Sequence, residues 1–435
     1  MRIVLAAALF IAALPMQPLA AQTRPEVEAA VKRLQADVRA WRRDFHQYPE
    51  LSNREQRTAA KVAEHLRKLG LKPQTGIAHH GVVAIIEGGR PGPKIALRAD
   101  MDALPVTEQV GLPFASKVTT EFNGQATGVM HACGHDAHTA ILLGVADALV
   151  AMKAQLPGQV MLIFQPAEEG PPPPEEGGAP LMLKEGLFKD FKPEAVFGLH
   201  VFSTLPAGMI GYRKGPFMAA SDFFSVQVTG RQTHGSRPWG GIDPIVASAS
   251  VIDNLQSVVS RRTDIAALPA VLTIGSIHGG IRNNIIPDDV KMLGTLRTFD
   301  DGQRRRIVDD MRNVIESVAH AHGAKGKLEI GEAPANPVTY NDPALTLRTL
   351  PSLQAAAGGA DKVVEMPLIT GAEDFSWYAK EVPSLFFFVG ATAPGIDPLT
   401  APSNHSPLFN LDESALDLGL RAMLQASLDY LDGGS

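Results

Sequence analysis

The stretch VMLIFQPAEEG, residues 160–170, carries an unbroken apolar run over 160–164 and then two adjacent carboxylates, Glu168 and Glu169. A run of that kind suits a strand buried on both faces, as in a parallel sheet covered by helices. The same texture recurs at 82–86, 95–97, 195–199 and 385–389, with helical patterns at 139–153 and 414–431 between or after the runs. Two further helices are expected upstream, at about 24–48, where Leu34, Val38 and Trp41 form an apolar stripe, and at 58–69, ending at Gly70. The fold class is therefore α/β, a helix-covered mixed sheet.

The rhythm changes between 216 and 333. Strand-like 223–228, helical 243–261, strand-like 271–277 and 290–297, helical 302–322 and strand-like 327–330 follow one another. This β-α-β-β-α-β order is the ferredoxin-like, split βαβ arrangement. It predicts a second domain inserted at 216–333 into a first domain made of 22–215 and 334–435. A chain of 435 residues also exceeds the ~250–300 residues at which a single core stops growing. Residues 171–174 are four consecutive prolines, read as a stiff loop insertion of polyproline character.

At the amino end, Arg2, an apolar run over 3–14 and small residues at 18–21 form the pattern of a secretory signal, so residues 1–21 are expected to be a leader and the protein to be secreted or periplasmic. The run is too short to span a bilayer, which needs roughly 20 apolar residues, so no membrane insertion is expected. A net charge of −6 with 20% charged residues offers no basic footprint for nucleic acid.

Chemistry-bearing residues follow the apolar runs. Asp100 and Asp102 come after 95–97, Glu168 and Glu169 after 160–164, and His200 after 195–199. In an open α/β sheet, sites form beyond the carboxyl ends of the strands, so these residues should converge there. The only cysteine, Cys133, stands in HACGHDAH, 131–138, with His135 two residues on and Asp136 as a possible N-cap of the following helix. A lone thiol in an exported chain is either a small core residue or chemistry. Each histidine or carboxylate taken alone also has a structural reading, as a satisfied buried group or a solvated loop charge. Taken together, thiolate, imidazoles and carboxylates form a donor set that suits zinc or a similar divalent ion. One glutamate of the pair would serve as ligand and the other as base for a metal-activated water.

Several motifs occur in order along nearly the whole chain: RADMDALP (98–105), GVMHACGHDAHTA (128–140), QPAEEG (165–170), GLHV (198–201), THGSRP (233–238), NIIPD (284–288), GTLRTFD (294–300), EDFS (373–376) and NHSPLF (404–409). Together they resemble the amidohydrolase branch of the dinuclear-metal aminoacylase and carboxypeptidase family, which includes hippurate hydrolases and auxin-conjugate hydrolases. The resemblance implies that Cys133, His135, Glu169, His200 and His405 ligate two divalent ions (zinc, manganese, cobalt or nickel), with Cys133 bridging. It implies Glu168 as general base and Asp102 as an orienting carboxylate. It also implies that His234, on the inserted domain, reaches a neighbouring subunit's site to hold the oxyanion, a surface-turn histidine beside Gly235 being the lesser alternative. Asn284 and Arg297 are implied as substrate contacts, and the inserted domain as a lid and homodimer interface. The expected reaction is hydrolysis of the amide of an N-acyl amino acid or small peptide with a free carboxylate. Action on longer peptides as a carboxypeptidase or dipeptidase is the alternative, and a non-enzymatic binding protein a more distant one. Two departures from the branch bear on substrate preference: the prolines at 171–174 replace a glycine-rich stretch, and Trp239 stands where relatives commonly carry histidine.

Overall fold

The computed structural model describes residues 22–433; the expected leader lies outside the described residues. An eight-stranded mixed sheet forms the centre, in the spatial order Gln74–Ile77, Gly81–Glu87, Pro157–Gln165, Arg90–Asp100, Ala195–Pro206, Ser384–Thr392, Ile210–Tyr212 and Val363–Glu365. The four middle strands, Pro157–Gln165 to Ser384–Thr392, run parallel to one another, and the strands beside them on either side run antiparallel. All the apolar runs singled out above lie in these strands.

Alternation along each strand sends side chains to two covered faces. Ile95, Leu97 and Ala99, with Val160, Leu162 and Phe164, pack under the helices Pro25–Gln47, Gln56–Lys68, His135–Ala151 and Ser414–Leu431. Ala96, Met161, Ile163, Val196, Phe386 and Phe388 pack on the opposite face, under Gly178–Lys184 and Ser376–Glu381. Arg98, Asp100, Gln165 and His200 belong by parity to this second face, at the carboxyl ends of the parallel strands. Polar groups thus continue the line of an apolar face where the sheet runs out.

The helix that follows Cys133 starts earlier than its pattern predicts, at His135 rather than at 139. Asp136 is not its cap. The N-cap is Gly134, at φ 97°, and a Cβ there would lie 2.3 Å from Val201 Cγ2. Only glycine tolerates both that backbone and that approach. Asp136 turns back to the buried Arg42 (2.8 Å) and His46 (2.8 Å). Against the cost of burial, that guanidinium and imidazole hold its carboxyl well below the usual range.

Between 216 and 333 the chain builds a separate four-stranded antiparallel sheet, ordered Val271–Gly279, Asp289–Thr298, Ala220–Thr229, Lys325–Ile330. The helices Pro244–Arg262 and Asp301–Ala321 cover one face, and Phe224, Val226, Leu255, Met292, Met311 and Ile315 form its own core. A buried ion pair, Arg304 to Asp222 at 2.6 Å, ties the second helix to the first strand, while the same guanidinium donates to the carbonyls of Gly331 and Glu332 where the chain leaves this sheet. One feature was not apparent from the pattern: the two-residue pairing of Thr233–His234 with Ile285–Ile286.

Gly198 lets the His200 strand lie flat against its cover, since a Cβ there would come within 2.7 Å of Phe375 and 2.9 Å of Phe386, both fully buried. Gly198→Ala is therefore expected to lower stability by about 1–3 kcal/mol through overpacking, seen as a lower thermal midpoint; an unchanged midpoint would show that the aromatic cluster yields freely.

Candidate metal centre

The carboxyl ends of the parallel strands and their loops bring together Cys133, His135, Glu168, Glu169, His200 and His405. Among these six residues three groups of donor atoms result, Cys133/His135/His200, Cys133/Glu169/His405 and His135/Glu168/Glu169, in each of which every donor lies within 4.8 Å of the others. The thiol belongs to the first two. Its Sγ is 3.3 Å from His200 Nε2 and 3.2 Å from His405 Nε2. Four residues spread over 135–405 thus meet around the Cys133 sulfur.

Two of the three imidazoles, His200 and His135, are oriented by a contact on the other nitrogen. His200 Nδ1 lies 2.7 Å from the carbonyl of Val201, which leaves Nε2 to face the thiol. His135 Nδ1 lies 3.1 Å from Asp102 Oδ1, which leaves Nε2 buried without a hydrogen-bond partner, 3.9 Å from both Glu168 and Glu169. Asp102 Oδ2 accepts from the Ser52 hydroxyl (2.7 Å) and the Glu169 amide (3.0 Å), so this carboxylate holds an imidazole and one of the glutamates at once. His405 sits on an irregular loop in the left-handed region, at φ 72°. Its amide donates to the Ala132 carbonyl at 2.8 Å.

Three residues that support the cluster were not singled out by sequence reasoning. The Asn404 amide group donates to the carbonyls of Cys133 (2.9 Å) and Val201 (3.1 Å) and accepts from Ser203 (3.0 Å), which staples the loops of three donors together. His138 spans Asp100 (2.6 Å) and the Val201 amide (2.8 Å) and so faces away from the thiol. Arg98, fully buried, donates to Gln165 (2.9 Å), Asp100 (2.6 Å) and Asp374 (2.8 Å) and lies 2.9 Å from Glu373. Asn404, His138, Glu373 and Asp374 all stand inside motifs quoted above, which was the available signal.

The electrostatics favour a cation. Burial, with Glu373 and Glu169 close by, pushes the Glu168 carboxyl well above its ordinary value. Burial and Glu169 likewise push the Cys133 thiol up. Burial disfavours charge on His135, but Asp100 and Asp102 outweigh it and raise this imidazole to about 10. Glu169 Oε1 is 3.2 Å from His405 Nε2 but lacks an aligned hydrogen bond, so it and His135 Nε2 are buried polar atoms left unpaired. Each such atom costs about 1–3 kcal/mol unless a partner satisfies it. A soft sulfur, three imidazole nitrogens and a carboxylate converging in this way form a donor set that fits divalent transition-metal binding.

Two clefts flank the glutamate pair. One, about 670 Å³, is lined by Glu168, Glu169, Pro171, Pro173, Phe223 and Asn336, so the proline run and the second sheet both reach it. The other, about 360 Å³, is lined by Leu51, Leu104, Pro105, Phe122, Glu169 and Pro172. A third cavity, about 610 Å³ between Gly70–Ile77 and Glu185–Phe191, contains none of the donors.

His234, Asn284 and Arg297 are not brought to the cluster; among the described residues no hydrogen bond or ion pair joins them to it. His234 is exposed, 2.7 Å from the Ser236 hydroxyl, and Gly235 donates to the Asn284 carbonyl at 2.8 Å, so these two lie side by side at the short ladder of Thr233–His234 with Ile285–Ile286. Arg297 pairs across strands with Ser221, on the same face as Phe223 of the larger cleft, and has no carboxylate partner among the described residues.

Residues 96–429 match the family model described as Peptidase family M20/M25/M40. Among curated proteins the chain is 41% identical to Thermostable carboxypeptidase 1 of Saccharolobus solfataricus, over 90% of this chain and 96% of that protein. It is 38% identical to IAA-amino acid hydrolase ILR1-like 4 of Arabidopsis thaliana, over 89% of this chain and 83% of that one. Among solved structures, the YXEP protein of Bacillus subtilis, described as a dinuclear metal binding peptidase, superposes with a TM-score of 0.76 at 34% identity, covering 92% of this chain and 99% of that one.

Asp102→Asn is expected to lower metal affinity about 10–100-fold by releasing the His135 ring, measured as metal retained after dialysis. Unchanged retention would remove Asp102 from any orienting role.

Proposed function

The chain belongs to peptidase family M20/M25/M40 and is a metal-dependent hydrolase of the amidohydrolase and peptidase type, and on that premise we propose that it cleaves the amide of N-acyl amino acids or small peptides bearing a free carboxylate. The observation that carries this reading is the pair of donor groups sharing Cys133 with a further carboxyl outside both, Glu168, 3.9 Å from His135 Nε2. Pure binding needs no such base.

Cys133, His135 and His200 would hold one divalent ion, and Cys133, Glu169 and His405 a second. When bound, such ions supply the Lewis acidity that polarises a scissile carbonyl and acidifies a water. Glu168 takes the proton of the attacking water and returns it to the departing amine. Its Oε1 accepts from the Asp374 amide at 3.3 Å, and its Oε2 points to the His135 side of the cluster, at 3.9 Å. Burial and Glu373 push this carboxyl up when no cation is bound, and a bound cation would favour its ionised form, the one that accepts a proton.

His234 would hold the developing oxyanion of a neighbouring subunit's substrate. Its exposure away from this chain's own cluster supports that, as do the bare apolar residues Val271, Ile277 and Leu293 on the second sheet for a homodimer. The second sheet would then serve as both lid and interface. Asn284 would contact substrate beside it, and Arg297, half-buried and unpaired, would take the carboxylate. The leader pattern at 1–21 supports export to the periplasm or beyond, and among the described residues no helix is long and apolar enough to cross a membrane.

Similarity to a carboxypeptidase favours a second reading, cleavage at the carboxyl end of longer peptides with the same residues. A panel of N-acyl amino acids, dipeptides and tripeptides separates the two by where kcat/KM is highest.

Glu168→Gln should retain its metal and lose about 10²–10⁴-fold in kcat, measured by release of free amino acid alongside metal analysis; a fully active variant would falsify the assignment. Arg297→Leu should raise KM about 10–100-fold for substrates with a free carboxylate and leave amidated analogues unaffected; an equal effect on both would assign the arginine a structural role.

A further inference from the structure

Glu55 is a buried acid that none of the chemistry above uses. It opens the helix Gln56–Lys68, but its side chain does not cap that helix. Glu50 caps it instead, accepting from the amides of Arg57 (2.9 Å) and Thr58 (2.8 Å). The Glu55 carboxyl points the other way, and its Oε1 accepts from the amides of Asn53 (3.0 Å) and Ala167 (2.8 Å), while Oε2 is buried without a partner. Ala167 immediately precedes the glutamate pair and stands at φ 55°, a conformation that a side-chain-bearing residue keeps only when its surroundings impose it.

Neighbouring residues grip the same loop elsewhere. Asn53, itself at φ 60°, donates through its side-chain amide to Glu175 Oε2 and the Glu176 carbonyl, both at 3.0 Å, beyond the proline run. Ser52 donates to Asp102, which in turn accepts the Glu169 amide. One short segment therefore touches the loop before Glu168, at Glu169 through Asp102, and after the prolines.

We propose that Glu55 is a positioning residue whose carboxyl oxygen fixes the strained Ala167 backbone and thereby aims Glu168 and Glu169 at their work. This rests on the roles assigned above to those two glutamates. Burial, with Asp102 nearby, pushes this carboxyl up to about 8, so near neutrality it acts as a largely uncharged acceptor. A glutamine can then replace it, whereas an aspartate, one methylene shorter, withdraws the acceptor from Ala167.

The test uses the full chain with Glu55→Asp and Glu55→Gln. Zinc affinity is read by equilibrium dialysis without substrate, so this arm stands even if the parent cleaves no amide. Glu55→Asp should lose about tenfold or more in zinc affinity and in kcat at saturating zinc, with KM changed less than about threefold. Glu55→Gln should stay within about threefold of the parent in all three. A folded Glu55→Asp with the parent's zinc affinity and kcat overturns the proposal, and so does a Glu55→Gln as impaired as the aspartate. Should Glu55→Asp fail to fold, the Ala167 amide of the parent decides: exchange slowed about a hundredfold or more over an open chain supports the bond, and unprotected exchange overturns it.

Discussion

The architecture is organised around the cost of burying negative charge at the end of a sheet. Asp100, Asp102, Glu168, Glu169, Glu373 and Asp374 crowd the carboxyl ends of the parallel strands, and among the described residues Arg98 is the one guanidinium paired inside that crowd. A buried ionised carboxylate is tolerated only when hydrogen bonds and counter-charges meet it. Arg98 meets Asp100, Glu373 and Asp374, while Asp102 is met by Ser52, His135 and the Glu169 amide. Glu168 and Glu169 are met least, and they are the two that face the thiol and the clefts. The same unmet charge that would be a defect in a core is what gives this site its affinity for divalent cations.

The parts of the fold set by local pattern were legible in the chain. Runs such as 160–164 and 385–389 read as doubly covered strands because apolar side chains are required on both faces, and the βαββαβ rhythm of 216–333 shows in the spacing of its elements. Part of the cluster was legible for a related reason: strand ends that share a direction place Glu168, Glu169 and His200 together, whereas His405 was named only through the family resemblance. What was misread was also local but conformational. The start of the helix at His135 depends on Gly134 adopting a left-handed backbone beneath Val201, and nothing in the neighbouring residues announces that contact.

Residues whose importance comes from distant partners left the weakest signal. Asn404 acts on Cys133 and Val201, Arg98 on Asp374, and Glu55 on Ala167, pairs far apart in the chain. Their side chains would look ordinary in any loop or strand. The proline run shows the opposite case: its stiffness was readable, and the structure adds that it walls both clefts, with Pro171 and Pro173 on one side and Pro172 on the other.

His405 stands late in the chain, and its imidazole completes the second donor group. The strand that carries His200 is itself paired with Ser384–Thr392, a late strand. The same late stretch carries the helix Ser414–Leu431, whose Leu416, Leu420 and Leu424 lie in the main core, so closing the donor set and completing the core depend on one terminal segment.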